Sequence, residues 1–84
     1  MPKPFLLESF EKHKTLGIRS FNSGDVTEAK YHFLKAAEYL LELARQSEEG
    51  LREVRTRQAL KLIELAKNVR QKRKAIREKA ASRS

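Results

Sequence analysis

Residues 25–44 read DVTEAKYHFLKAAEYLLELA. Asp25 is placed to cap a helix, and Glu28 three residues on completes a capping-box-like pair. The pattern predicts a helix from Val26 to about Glu49 with a wide apolar set. One stripe passes through Ala29, Phe33, Ala36 and Leu40; the other passes through Leu34, Ala37, Leu41 and Ala44. A surface helix needs a single stripe, whereas a helix apolar on two sides lies between two neighbours. This stretch is therefore read as the central helix of a bundle, and the flanking sequence must supply its partners.

On the N-terminal side, Pro4 to Asn22 reads as the first partner. Proline suits a first helical turn because its missing N–H costs nothing there. Leu6, Leu7, Phe10, Ile18 and Phe21, with Gly17 on the same side, form its inward stripe. Asn22-Ser23-Gly24 ends it, with Gly24 available for a left-handed stop. On the C-terminal side, Gln46-Ser47-Glu48-Glu49-Gly50 forms a turn, and a third helix runs from about Leu51 to at least Val69, reaching towards Lys79 and fraying there. Its apolar residues are Leu51, Val54, Ala59, Leu60, Leu62, Ile63, Leu65, Ala66 and Val69. Short turns between long helices make neighbours antiparallel. The fold class is all-α, an antiparallel up-down-up three-helix bundle over residues 1–72, with residues 73–84 a basic extension or linker.

Composition agrees with this reading. Three glycines, two prolines (both within the first four residues) and no cysteine occur among 84 residues. No disulfide or thiolate metal site reinforces the chain, and a cytoplasmic setting is expected. The N-terminal apolar run, Phe5-Leu6-Leu7, is far too short for a signal peptide or membrane span. The net charge of +8 is uneven. Residues 1–69 hold 12 Lys/Arg against 10 Asp/Glu, whereas residues 70–84 hold 7 against 1. The body is nearly balanced and the basicity belongs to the tail. A nucleic-acid-binding domain carries its charge on the folded surface that meets phosphates, and no aromatic residue interleaves the tail for base stacking.

Catalysis requires a polar constellation in a concave site. His13 and His32 are the only histidines and lie on different helices, with no second ligand at helical spacing, so each is read as structural. A zinc site would want three or four ligands. The three glycines are isolated, so no phosphate loop exists. Glu48, Glu49 and Glu53 are read as a solvated cap at a helix N-terminus. No enzyme activity, cofactor, metal or small-molecule substrate is expected.

The excess is apolar. Leu34, Leu41, Leu60 and Ile63 exceed what a three-helix core needs, and such residues line an exposed patch. Ala36, Ala37, Ala44, Ala59 and Ala66 serve either close helix packing or a groove that accepts a partner's helix.

These residues resemble a known family. Gly24-Asp25-Val26-Thr27-Glu28-Ala29, then Phe33 and Ala36-Ala37-Glu38-Tyr39-Leu40-Leu41, look like the first turn and second helix of MIT (microtubule interacting and trafficking) domains. Ile63-Glu64-Leu65-Ala66-Lys67-Asn68-Val69-Arg70 is similar to that family's third helix. The resemblance covers about Leu6 to Lys72. It implies a protein-binding module, monomeric itself, attached to a larger and possibly oligomeric protein such as an AAA ATPase, that takes short helical or extended motifs from ESCRT filament subunits. Its contact with membranes would be indirect. Carried over by position, Leu34, Ala37, Leu41, Thr56, Ala59, Leu60, Ile63 and Lys67 would line a groove between helices 2 and 3, with Ile63 at its centre. Lys67 stands where the family often has Glu, and Leu65 where it has Arg. Lys67 would repel a basic ligand residue and favour an acidic one.

Three rivals remain at this level. A TPR-like adaptor fits Leu16-Gly17, Phe21, Gly24-Asp25, Ala29, Phe33 and Ala36, but such arrays need about three repeats to bury a core. A nucleic-acid-binding bundle would use the basic tail. A self-associating bundle would bury Leu41 and Ile63 in a dimer.

Overall fold

The computed structural model describes residues 5–82, with side chains for residues 5–72 and Lys74. Three helices account for it: α1 (Phe5–Asn22), α2 (Val26–Arg45) and α3 (Glu49–Ser82). Pro4, expected in the first turn, lies outside the described residues. The chain runs up, down and up. Phe5 lies against Tyr39 and Gly17 against Phe33, so α1 and α2 are antiparallel. Ala29 and Phe33 join Ala66 and Val69, while Ala37 and Leu40 join Ala59, so α2 and α3 are antiparallel too.

α2 is the central helix, as its two stripes require. It packs along both neighbours, which hardly meet each other. Among the described residues, seven of the ten buried apolar ones lie on it: Ala29, Phe33, Ala36, Ala37, Leu40, Leu43 and Ala44. α3 adds Ala59, Ala66 and Val69. Four of its seven and all three of α3's are smaller than leucine, so the helices approach closely and the core is thin.

The first turn follows its sequence. Gly24 has φ 87°. Its N–H donates to Phe21 O (3.1 Å), and that of Asp25 donates to Ser20 O (2.9 Å), the pattern of a Schellman stop. Asp25 Oδ1 then accepts from Glu28 N at 3.1 Å and caps α2. The reciprocal half of the expected capping box is not made. Glu28 turns to His32, its Oε2 3.3 Å from Nε2 one turn along, and the Asp25 N–H is already committed to Ser20.

The second turn is shorter than expected. α2 stops at Arg45 rather than near Glu49, and Glu49 and Gly50 belong to the first turn of α3. Arg52 explains the difference. Its Nε donates to Ala44 O (3.2 Å) in the last turn of α2 and its Nη2 to Ser47 O (3.2 Å) in the connection, adding side-chain donors to carbonyls where the helix ends. Ser47 Oγ donates to Leu43 O at 2.6 Å and accepts from Arg55 Nη1. Two arginines of α3 thus clamp the end of α2, and the chain turns within three residues.

Three further expectations are corrected. Ile18 is 47% exposed. Gly17 takes the inward position beside Phe33, and the next residue points about 100° round the helix, towards solvent. Leu51 and Val54 are also about half exposed, because α2 ends at Arg45 and little of it faces the first turns of α3. α3 passes residue 72 without a break and reaches Ser82 rather than ending near Lys79. At about 1.5 Å per residue, its 34 residues set the 49 Å long axis of the molecule.

Candidate functional site

The α2–α3 seam divides the eight residues expected to line a groove into three kinds. Ala37 and Ala59 are 1% and 0% exposed and form its floor, where the helices touch. Leu34, Leu41, Ile63 and Thr56 are half-buried. Leu34 leans on the cluster of Ala29, Phe33, Ala66 and Val69, and Leu41 and Ile63 lean on that of Ala37, Leu40, Leu43 and Ala59. Leu60 is 57% exposed, and Lys67 is exposed beyond it. On α3 the residues 56, 60, 63 and 67 recur at steps of four and three, so they share one face. The antiparallel register sets Leu41 near the level of Thr56 and Leu60, and Leu34 near that of Ile63 and Lys67. Six of the eight keep accessible surface in one strip; the two alanines cannot touch a ligand and act by keeping the strip shallow.

The strip has one concave end. An open hollow of about 530 Å³ lies over Glu49, Arg52, Glu53, Thr56, Arg57 and Leu60. Its rim holds Glu53 paired to Arg57 (3.1 Å), an exposed i,i+4 pair worth a few tenths of a kcal/mol at most.

A second concavity was not anticipated. A cleft of about 310 Å³ opens between α1 and α3, lined by Phe10, Lys14, Gln58, Lys61, Leu62 and Leu65. It exists because α1 and α3 both press on α2 and leave a valley between them. The sequence signal was the width of the apolar face of α2, which holds its neighbours apart.

The histidines behave differently from the sequence reading. His13 and His32 come together on the α1–α2 face, with Nδ1 atoms 3.0 Å apart. His32 also has the neighbour at helical spacing that the sequence reading denied it, in Glu28. The His13 ring lies flat against Tyr39, 5.6 Å between centroids and 15° between planes, and edge-on to Tyr31. Phe5 meets the edge of Tyr39. Burial, then His32, Lys12 and Lys35, hold the His13 imidazole below its ordinary pKa of 6.5. Lys35, hydrogen-bonded to Glu38 at 3.4 Å, is shifted upward by that bond and by the Glu38 charge.

No group of three or more His, Cys, Asp or Glu able to hold a metal ion occurs among the described residues. No buried side-chain nitrogen or oxygen among them lacks a partner, and no helix is long and apolar enough to cross a membrane. Compared with protein-family models, curated proteins and solved structures, the chain matches none.

Proposed function

We propose that the chain is a protein-interaction module that lays a short helical or extended segment of a partner along the α2–α3 seam. The observation that carries this reading is Leu60. It is a large aliphatic side chain left 57% exposed in line with half-buried Leu34, Leu41 and Ile63, beside a floor of alanines that lets a second backbone come close. An amphipathic segment gains by covering such a strip. Lys67 at one end favours a segment with an acidic residue there. The resemblance to MIT domains adds that the partner is a tail of an ESCRT-type filament subunit, that the module recruits an attached AAA ATPase, and that the setting is cytoplasmic.

A single short segment on a shallow strip pays its own ordering cost, so affinity on the order of micromolar to tens of micromolar follows. Strength would come from several copies acting together. The test is fluorescence anisotropy with labelled C-terminal peptides of ESCRT filament subunits, each with a version in which its basic residues are made acidic. Leu60→Asp is expected to abolish binding while leaving the circular dichroism and melting temperature intact, since Leu60 is largely outside the core. Lys67→Glu is expected to swap the preference between the basic and acidic peptides. Binding indifferent to both substitutions overturns the assignment of the seam. Loss on Lys61→Glu instead would move the ligand to the α1–α3 cleft, and sedimentation as a dimer that Leu60→Asp dissociates would make the strip a self-association surface.

A further inference from the structure

The contact between His13 and His32 is an edge-to-edge hydrogen bond. The ring planes differ by only 29°, and the centroids are 5.2 Å apart against 3.0 Å between the nitrogens. The excess is about one ring diameter, so the two Nδ1 atoms face each other along the line joining the rings. A metal between them would need nitrogens about 4 Å apart in that arrangement, given metal–nitrogen distances of about 2.0–2.1 Å. The gap fits one proton.

The surrounding groups fix which nitrogen carries it. His32 Nε2 lies 3.3 Å from the Glu28 carboxylate, where a bare nitrogen would set its lone pair against a negative charge, so Nε2 holds the hydrogen. The neutral His32 ring then offers a bare Nδ1. His13 must donate to it, so His13 is protonated on Nδ1 and bare on Nε2. The hydrogen bond runs from His13 Nδ1–H to His32 Nδ1, crossing from α1 to α2, and the Nε2–H on the far side of His32 faces the Glu28 carboxylate. Tyr39, flat against the His13 ring, holds that ring in the plane the bond requires.

We propose that His13, His32 and Glu28 form a pH-sensitive latch between α1 and α2, intact with up to one added proton and broken by the second. The first proton has a place at His13 Nε2, outside the bond. One imidazolium and one neutral ring still make a donor–acceptor pair at Nδ1, so the bond survives this proton, although burial of the His13 ring opposes the charge. The second proton fills the last bare nitrogen between the two rings. That turns the acceptor into a donor, sets two N–H groups against each other and two like charges side by side. On α1 the nearby charge is Lys12; on α2 the groups facing the pair are Tyr31, Tyr39, Lys35 and Glu28. Lys12 and Lys35 add to the repulsion, and Glu28 opposes it. The device is independent of peptide binding at the seam. His32 and Leu41 are nine residues apart, about two and a half helical turns, so they lie on opposite sides of α2.

The test is ¹⁵N NMR of the ring nitrogens of the full 84-residue chain through an acid titration. At neutral pH, His13 is expected as the Nδ1–H form and His32 as the Nε2–H form. Acid should protonate the pair in two separate steps, and amide exchange around residues 9–16 and 28–36 should accelerate at the lower one. In the variant His32→Asn, the amide oxygen stands near the place of Nδ1, accepts from His13 and does not titrate. Its amides should stay protected through the pH at which the wild type opens. The proposal is overturned if both rings titrate together at the same pH, if His32 carries its hydrogen on Nδ1 at neutrality, or if wild type and His32→Asn open at the same pH.

Discussion

Gly17 of α1 faces the ring of Phe33 of α2 so closely that a β-carbon at position 17 would lie 2.7 Å from both Cδ1 and Cε1 of the ring. Phe33 is 2% exposed and packed with Ala29, Ala66 and Val69, so it has nowhere to go. Gly17 is thus the point at which α1 comes down on the central helix, and Phe33 spans all three helices.

Gly17→Ala is therefore destabilising even though alanine favours a helix by about 1 kcal/mol over glycine. Overpacking of this kind costs about 1–3 kcal/mol, and contacts of 2.7 Å with two carbons of a packed ring place it towards the upper figure, so a net loss of up to roughly 2 kcal/mol is expected in urea denaturation. Combining it with Phe33→Leu should cost less than the sum of the two single changes, because the leucine vacates the space the methyl needs. A Gly17→Ala chain as stable as wild type would mean that α1 is not seated on Phe33.

The alanine floor of the α2–α3 seam is equally intolerant. Ala59 and Ala66 are both 0% exposed against buried residues of α2. Leucine at either position forces the helices apart at a cost of about 1–3 kcal/mol or more. A chain of 84 residues holds about 4–12 kcal/mol in all, at about 0.05–0.15 kcal/mol per residue. The melting temperature of Ala59→Leu should fall by several degrees, whereas Leu60→Ala, one residue on and exposed, should change it little.

The tight second turn depends on Ser47 and Arg52. Ser47→Ala removes a hydroxyl that donates to Leu43 O and accepts from Arg55, and is expected to cost about 1 kcal/mol. Arg52→Ala leaves Ala44 O and Ser47 O without their side-chain donor. It should cost a similar amount and raise amide exchange at residues 44–49. Asp25→Ala, which deletes the N-cap of α2, should cost about 0.5–2 kcal/mol.

His13 gives the fold a pH dependence whose sign is fixed. Burial comes first and His32 next in holding its folded pKa below 6.5. The unfolded chain then binds a proton that the folded chain resists, so stability rises with pH across that interval. The contribution is whole above pH 6.5 and is lost as pH falls from 6.5 through the lower folded value. The urea midpoint at pH 5 should lie below that at pH 7.5. His13→Phe, which keeps a ring against Tyr39 and removes the titration, should narrow the difference.

The all-α class, the central place of the second helix and the stop at Gly24 were legible in local sequence. They rest on periodicity, helix propensity and backbone conformation at single residues, and these act over a few positions. Two apolar stripes on α2 left it no stable arrangement except between neighbours. The capping aspartate and the left-handed glycine marked the first turn to the residue. What periodicity could not resolve was depth. It grouped Ile18 with the inward residues, and the groove implied by the family resemblance held Ala37 and Leu60 together although one is sealed and the other open.

The remaining features were decided by the antiparallel register. Arg52 reaches back to α2 only because α3 returns alongside it, which is why the second turn is shorter than turn residues alone implied. His13 and His32, nineteen residues apart, share a proton because Gly17 lets α1 settle on Phe33 and brings the two rings level. The α1–α3 cleft exists because both helices are held by the same third one. The sequence by itself determined the helices, their order and which of them must lie in the middle, since each depends on neighbours three or four residues away. Only the tertiary structure decided which side chains meet across helices and how deeply they sink, because those depend on how far two particular backbones approach, and a pattern along one chain does not contain that distance.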